Sequence, residues 1–187
     1  MKIKVQMVMI GEDGKETTRD VVCMERDELT PETLGVSLAE GKTTLKSIQE
    51  IFVEWQMDTY LSGQVTCSEC GKKRQSKGSH PTVFRTVFGT ISVNSPRLCH
   101  CECRSHPTKT FSPLVNLLSE HTTPELLFLE TKWAALMSYG LTAALLQDVL
   151  PIDEQLNAVT IRNHLFDMAE RLEHDLGSSH ETEYKPR

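Results

Sequence analysis

Five of the six cysteines lie in two tight clusters between residues 67 and 103. The first cluster is Cys67-Ser-Glu-Cys70, and the second is Cys99-His-Cys101-Glu-Cys103. Two such clusters, separated by a hairpin-sized gap, bring thiolates together from two knuckles, and four thiolates suit a tetrahedral zinc ion. The spacing therefore predicts a structural zinc site, a closed kind of site that carries out no reaction.

Five thiols compete for four positions, so the spacing leaves the ligand set partly open. The predicted ligands are one pair from each cluster: Cys67, Cys70, Cys101 and Cys103. Cys99 is a spare thiol that is able to replace one of them. Three nearby histidines are weaker candidates: His80, His100 and His106.

Two other uses of cysteine compete with a zinc site. Disulfides need an oxidising compartment, but the alternating N-terminus Met-Lys-Ile-Lys-Val-Gln is not a signal peptide, so we expect a reducing cytoplasm. A redox Cys-x-x-Cys motif normally opens a helix in a βαβ unit, whereas Gly-Lys-Lys follows Cys70 here. A thiol enzyme of another kind would need a low-pKa cysteine near a cationic group. We therefore favour zinc.

The residues between the clusters predict the element that positions the thiols. Segments 81–88 and 90–93 are rich in β-branched and aromatic residues and are separated by Gly89, which indicates two strands and a turn. This pattern predicts a zinc ribbon, a hairpin with little core of its own. The metal would contribute about 10–16 kcal/mol of apparent binding free energy to holding it folded.

Basic residues are concentrated in the same stretch. The chain has a net charge of −6, but residues 70–110 contain eight basic side chains and one acid, so they carry +7 and the remainder carries −13. Such a surface is typical of phosphate contacts; its alternative is a solvated loop whose lysines maintain solubility. Because the charge coincides with the predicted ribbon, we favour nucleic-acid contact. The predicted contacts are Lys72, Lys73, Arg74 and Arg85.

The N-terminal segment predicts a β-hairpin. Apolar residues alternate with polar ones from Ile3 to Met9, a turn follows at residues 11–14, and residues 17–24 return as a second strand. Cys23 stands alone in that strand, and we expect it to be a small buried hydrophobe.

A long helix is predicted after the hairpin. Ser37 and Glu40 form a capping box that starts the helix, which we expect to reach about Tyr60. We expect its seam to pack on the chain's own hairpin; a coiled-coil homodimer is the alternative. The seam positions have a 3-4-3 spacing: Leu45, Ile48, Phe52 and Trp55.

Three helices are predicted after the ribbon. Thr123 caps the first, which runs to Ser138 and is ended by Gly140. The second spans residues 142–150, and the third reaches about residue 176 from a cap at Asn157 or Thr160. The buried face of the first consists of Leu126, Leu129, Trp133, Leu136 and Met137. That of the third consists of Ala158, Ile161, Leu165, Met168 and Leu172.

A short second helix between two longer ones is typical of a helix-turn-helix, whose third helix presents its first residues to the major groove. The alternative is another kind of small helical bundle. The twelve acids and five bases of residues 111–187 count against DNA binding. In its favour, the third helix begins with exposed side chains that are able to read base edges: Thr160, Arg162 and Asn163.

These patterns predict an α+β chain of 187 residues in four parts. The parts are a hairpin with a long helix (1–62), a zinc ribbon (63–110), a helix-turn-helix-like domain (111–176) and a polar tail (177–187). No run of 18 apolar residues predicts a membrane span.

A series of short motifs runs through nearly the whole chain. They are Ile3-Lys-Val-Gln6, Leu34-Gly-Val-Ser-Leu-Ala-Glu40, Cys67-x-x-Cys70-Gly71, Arg85-Thr-Val-Phe-Gly89, Ser95-Pro-Arg97, Cys101-x-Cys103, Phe111-Ser-Pro-Leu114, Thr123-Pro-Glu-Leu126, Ser138-Tyr-Gly-Leu141, Asp148-Val-Leu-Pro151 and Thr160-Ile-Arg162. With these motifs in this order, the chain resembles the N-terminal portion of bacterial insertion-sequence transposases of the ISKra type. The resemblance favours Cys101 and Cys103 over Cys99, because the family's cysteine pair falls there.

The resemblance implies a DNA-binding part that recognises the terminal inverted repeats of a transposon. Such transposases continue into a ribonuclease-H-like domain, in which three carboxylates hold two metal ions. This sequence stops at Arg187, and no alternating strand–helix pattern with buried acids is present, so we expect no catalysis from this chain alone. Either it is truncated or a separate transposase chain carries the acids. The alternative function is a free-standing, zinc-dependent DNA-binding regulator.

Overall fold

A two-stranded sheet, a long helix, a three-stranded sheet and a run of four helices follow one another along the chain, so the α+β class is confirmed. The computed structural model describes residues 1–103, 105–106, 108–118, 120–152 and 156–180. Its elements are β1 (Lys2–Ile10), β2 (Glu16–Glu25), α1 (Leu38–Gln64), β3 (Ser76–Thr86), β4 (Gly89–Cys99), β5 (Thr110–Phe111), α2 (Leu114–Leu117), α3 (Pro124–Ala134), α4 (Tyr139–Val149) and α5 (Ala158–His180).

The predicted N-terminal hairpin is present, with β1 and β2 paired antiparallel. The prediction that Cys23 is buried is wrong, because this residue is exposed. Cys23 lies opposite Lys4, while its neighbours Val22 and Met24 are half-buried. Successive side chains of a strand point to opposite faces, so Cys23 shares the outer face with Lys4.

The capping box at the start of α1 forms as predicted. The Ser37 hydroxyl accepts a hydrogen bond from the backbone N–H of Glu40 at 3.3 Å, and the Glu40 carboxylate accepts one from the backbone N–H of Ser37 at 2.9 Å. Arg26, which follows β2, donates to the same carboxylate at 2.8 Å and so links the hairpin to α1. The helix continues to Gln64 rather than ending near Tyr60.

We expect Glu40→Gln to destabilise the fold and to flatten the pH dependence of its stability. The Arg26 side chain, followed by the Ser37 backbone and hydroxyl, lowers the pKa of Glu40 from 4.5 to about 2. A carboxyl whose pKa is lower in the folded state than in the unfolded state stabilises the fold fully above the unfolded pKa. That stabilisation is lost as the pH falls from 4.5 towards 2.

Thermal unfolding followed by circular dichroism across this pH range measures the effect. Glu50→Gln is the control, because Glu50 is exposed on the same helix. Identical pH profiles for Glu40→Gln and Glu50→Gln would contradict the prediction.

One hydrophobic core joins α1 to the second sheet and to α2. Its buried members are Val53, Ile91, Val93, Leu114 and Leu118. The seam predicted for α1 is wrong in part, since Leu45 and Phe52 are 42% and 49% exposed while Val53 is buried. Helix α1 also contacts β2, which is one strand of the hairpin on which the seam was expected to pack. The second sheet therefore shares its core with α1 and α2.

The second sheet has the order β3-β4-β5, and all its pairs are antiparallel. The turn between β3 and β4 comprises Val87 and Phe88, so the prediction that Phe88 ends a strand is wrong. Gly89 begins β4 with a φ of 118°, a conformation that favours glycine. Strand β5, which the sequence analysis missed, pairs with β4 at Leu98 and Cys99.

The boundary between α3 and α4 differs from the prediction. Helix α3 ends at Ala134, and Ser138 caps α4 by accepting a hydrogen bond from the backbone N–H of Leu141 at 3.4 Å. Gly140 lies inside the first turn of α4, so the prediction that it ends a helix is wrong. The N-capping hydroxyl of Ser138, rather than the glycine, decides where the chain turns.

Helices α3, α4 and α5 pack around a second core, in which Ile161 and Leu146 are 0% and 1% exposed. Two residues predicted to be buried are exposed: Leu136 in the turn after α3, at 72%, and Leu172 on α5, at 58%. Helix α5 reaches His180, so residues 177–180 of the predicted polar tail are helical, and residues 181–187 lie outside the described residues.

The helical bundle also buries an ionisable side chain. Glu130 of α3 is 0% exposed, and its Oε2 is hydrogen-bonded to Nδ1 of His164 on α5. The other carboxylate oxygen has no hydrogen-bond partner among the described residues. This pair ties α3 to α5. Among the described residues, no helix combines the length and apolarity needed to cross a membrane.

Candidate metal centre and basic surface

Four cysteine sulfurs converge at one end of the second sheet. The Sγ atoms of Cys67, Cys70, Cys101 and Cys103 all lie within 4.8 Å of one another, and no disulfide joins them. The Sγ–Sγ distance is 3.7 Å for Cys67 and Cys103 and 3.2 Å for Cys70 and Cys101. A metal–sulfur distance of about 2.3 Å in a regular tetrahedron separates the sulfurs by about 3.8 Å. The cluster therefore has the dimensions and the donor set of a four-thiolate metal site.

The first knuckle is held by backbone hydrogen bonds. The Cys67 N–H donates to the Lys72 carbonyl, and the Gly71 N–H donates to the Cys67 carbonyl, both at 2.9 Å. Gly71 has a φ of 70°, which closes the turn directly after Cys70. The knuckle points both of its sulfurs to the same side because the chain reverses between them.

The second knuckle follows β4 and excludes the spare thiol. Cys99 still belongs to β4, where its N–H donates to the Gln75 carbonyl at 2.8 Å and its backbone pairs with Thr110 of β5. Its sulfur is not part of the cluster. The structure thus brings together the four predicted ligands and leaves Cys99 in the sheet.

Backbone N–H groups lower the pKa values of two of the thiols, whereas a neighbouring sulfur raises the pKa of another. The backbone N–H groups of Cys70 and Glu69 lower the pKa of the Cys67 thiol to about 6. The backbone N–H of Cys103 lowers the pKa of Cys101, and the Cys101 sulfur in turn raises the pKa of Cys103 to about 12. Neighbouring thiolates repel each other, so the four thiols cannot all be deprotonated in the absence of a bound cation. A cation at the centre would remove this repulsion and hold four thiolates.

The three candidate histidines lie outside the cluster. His80 is exposed on β3. The rings of His100 and His106 are stacked with their centroids 3.9 Å apart, and His100 also contacts the ring of Phe111 at 4.6 Å. Burial, followed by the charges of His106 and Arg74, lowers the pKa of His100. This stack was not predicted from the sequence, although aromatic rings among lysines are a recognisable signal.

The predicted basic contacts separate into two places. Lys72 and Lys73 are exposed and line a cavity of about 640 Å³ beside the second knuckle. Arg74 lines it too, but its guanidinium donates to the carbonyls of Gln64 at 2.7 Å and Thr66 at 3.1 Å. Arg74 therefore connects the end of α1 to the first knuckle in addition to any ligand contact.

Arg85 lies away from these three. It is half-buried on β3, where its backbone N–H donates to the His121 carbonyl at 2.8 Å. Its side chain lines a cavity of about 280 Å³ together with His164 and Arg171 of α5. The structure thus places Arg85 between the sheet and the helical bundle.

The three predicted contacts on α5 differ in exposure. Arg162 and Asn163 are exposed, and the Arg162 guanidinium lies over the ring of Phe166 at 5.3 Å. Thr160 is half-buried, and Asn157, the cap of α5, accepts a hydrogen bond from its backbone N–H at 3.1 Å. Two of the three side chains are therefore free to approach a ligand.

Comparisons with models of protein families, with curated proteins and with solved structures found no match to this chain. The resemblance to insertion-sequence transposases consequently rests on the short motifs alone.

Proposed function

We propose that this chain is the zinc-binding DNA-recognition part of an insertion-sequence transposase and has no catalytic role of its own. The observation that carries the proposal is the convergence of four cysteine sulfurs beside a lysine-lined cavity. A metal-stabilised hairpin that carries basic side chains on its surface is suited to phosphate contact.

Zinc is the proposed metal. A tetrahedral set of four thiolates suits zinc or an iron–sulfur centre and disfavours hard cations such as magnesium. Four ligands from a Cys-x-x-Cys and a Cys-x-Cys knuckle leave no open position for substrate, so the site is structural. The residues that would hold it are Cys67, Cys70, Cys101 and Cys103.

The helical segment supplies the proposed sequence reading. Helices α3, α4 and α5 follow one another as the three helices of the predicted helix-turn-helix-like segment, whose third helix is the one expected to enter the major groove. The exposed residues of α4 include Leu141, Asp148 and Val149, which offer few base contacts. Helix α5 instead exposes Arg162 and Asn163, whose planar groups pair with guanine and adenine edges. We therefore assign base reading to α5.

The proposed partner is double-stranded DNA at the terminal inverted repeats, and a separate transposase chain would supply the strand-cleaving carboxylates. Fluorescence anisotropy of the zinc-loaded chain on DNA from the ends of its own genomic element tests the proposal. A shuffled duplex and a zinc chelator are the controls. Equal binding to both duplexes would overturn end recognition, and binding specific to a promoter would favour the zinc-dependent regulator.

We expect Arg162→Ala to weaken binding to the preferred duplex by about 1–3 kcal/mol and to relax sequence preference. The physical reason is the loss of a bidentate contact to a base edge. Arg171→Ala is the matched control, because Arg171 lies on the same helix but is paired with Glu120 at 2.6 Å. Anisotropy titrations on matched and mismatched duplexes measure the effect, and an equal loss on every sequence would make Arg162 a phosphate contact.

A further inference from the structure

The rings beside the second knuckle form a continuous pile. His106 stacks on His100 at 3.9 Å with 20° between the ring planes, and His100 contacts Phe111 at 4.6 Å. The guanidinium of Arg74 lies over the Phe111 ring at 5.3 Å. His106 is exposed although one of its faces is covered by His100. The pile therefore ends in a ring that is exposed.

This pile borders the cavity of about 640 Å³ that Lys72 and Lys73 line. Among the described residues, the cavity has five lysine or arginine side chains and one acid, Glu102. A zinc ion with four thiolates carries about two net negative charges, so part of this positive charge balances the metal centre. The remaining cations include Lys77 and Lys109, which are exposed.

We propose that this surface binds an unpaired nucleotide, with its base stacked on the exposed ring of His106 and its phosphates beside the lysines. An aromatic face next to a positive groove is the arrangement by which proteins hold single-stranded nucleic acid. A duplex keeps its bases stacked on one another, so it cannot use the ring. The inference rests on the proposed DNA-binding function and adds single-stranded or unpaired DNA to its ligands.

The test uses the zinc-loaded full chain and three labelled oligonucleotides of about 10 nucleotides. They are a single strand, the blunt duplex of the same sequence, and an abasic single strand with the same backbone. We expect His106→Ala to weaken single-strand binding about 5- to 150-fold, which is the loss of one base stack. Duplex and abasic-strand binding should change less than about twofold, since neither stacks a base on the ring.

Two further variants separate stacking from folding. His106→Phe keeps a ring and should restore single-strand binding, whereas His80→Ala removes an exposed histidine outside the pile and should have no effect. Zinc content, measured on every variant, reports whether the second knuckle stays folded.

Either of two outcomes would overturn the site: equal loss on all three ligands, or no rescue by His106→Phe in a chain with full zinc content. Tight binding of the abasic strand by the unmodified chain would likewise reduce the site to a phosphate contact. Single-strand binding without preference for the element's ends would sustain the nucleotide site and overturn the proposed end recognition.

Discussion

Cys67→Ser is expected to abolish stoichiometric zinc binding and to unfold the metal-proximal end of the second sheet. The sulfur of Cys67 lies within 4.8 Å of the other three, and the residue is only 4% exposed, so a water molecule cannot easily take the place of the sulfur as a ligand. Structural zinc contributes about 10–16 kcal/mol of apparent binding free energy, which exceeds the stability of most small domains. Cys103→Ser should have the same effect.

The unfolding should be local because the second sheet is stabilised at one end by the proposed metal and near its β3–β4 turn by the hydrophobic core. Near the β3–β4 turn, Ile91 and Val93 pack against Val53 of α1, independently of the metal. We expect hydrogen exchange to rise sharply in residues 65–75 and 98–111 and much less at Ile91 and Val93. The bundle of α3, α4 and α5 has a separate core and should keep its protection.

Cys99→Ser is the matched control for these substitutions, because Cys99 lies in the same stretch but its sulfur is outside the cluster. It should retain one zinc per chain. Metal analysis by mass spectrometry, with hydrogen exchange on the same samples, gives both readouts. Full zinc content in Cys67→Ser, or zinc loss in Cys99→Ser, would show that the ligand set is wrong.

Glu130→Ala is expected to destabilise the helical bundle by about 3–5 kcal/mol. Removing one member of a buried pair leaves the other polar group buried and unpaired, and here it also leaves a cavity. The partner, His164, has a side chain that is 21% exposed, so water compensates for part of its loss. Urea denaturation of the zinc-loaded chain measures the free energy of unfolding.

Glu170→Ala serves as the control, since Glu170 is exposed on α5. Its effect should stay within about 0.5 kcal/mol. A double-mutant cycle with His164→Ala isolates the energy of the pair. Coupling near zero, with a loss under about 1 kcal/mol for Glu130→Ala, would show that the carboxylate and the imidazole do not act together.

Local signals in the sequence were sufficient for several elements. Ser37 and Glu40 fixed the start of α1 because a capping box satisfies backbone donors within one turn. Thr123 and Pro124 likewise marked the start of α3, because the Thr123 hydroxyl caps the helix and proline is favoured at the first helical position. The prediction failed at Gly140, where two signals competed and the hydroxyl of Ser138 decided the boundary.

By itself, the sequence indicated a four-thiolate site built from two cysteine clusters, the hairpins and the caps, since each depends on residues close together in the chain or on a rigid spacing. The structure excluded Cys99 from the cluster. Only the tertiary structure decided which face of α1 is buried, where Val53 replaces Phe52. It also decided that Glu130 is buried and that His106 stacks on His100. These contacts depend on how separate elements meet, and a periodic pattern does not encode the direction from which a neighbour packs.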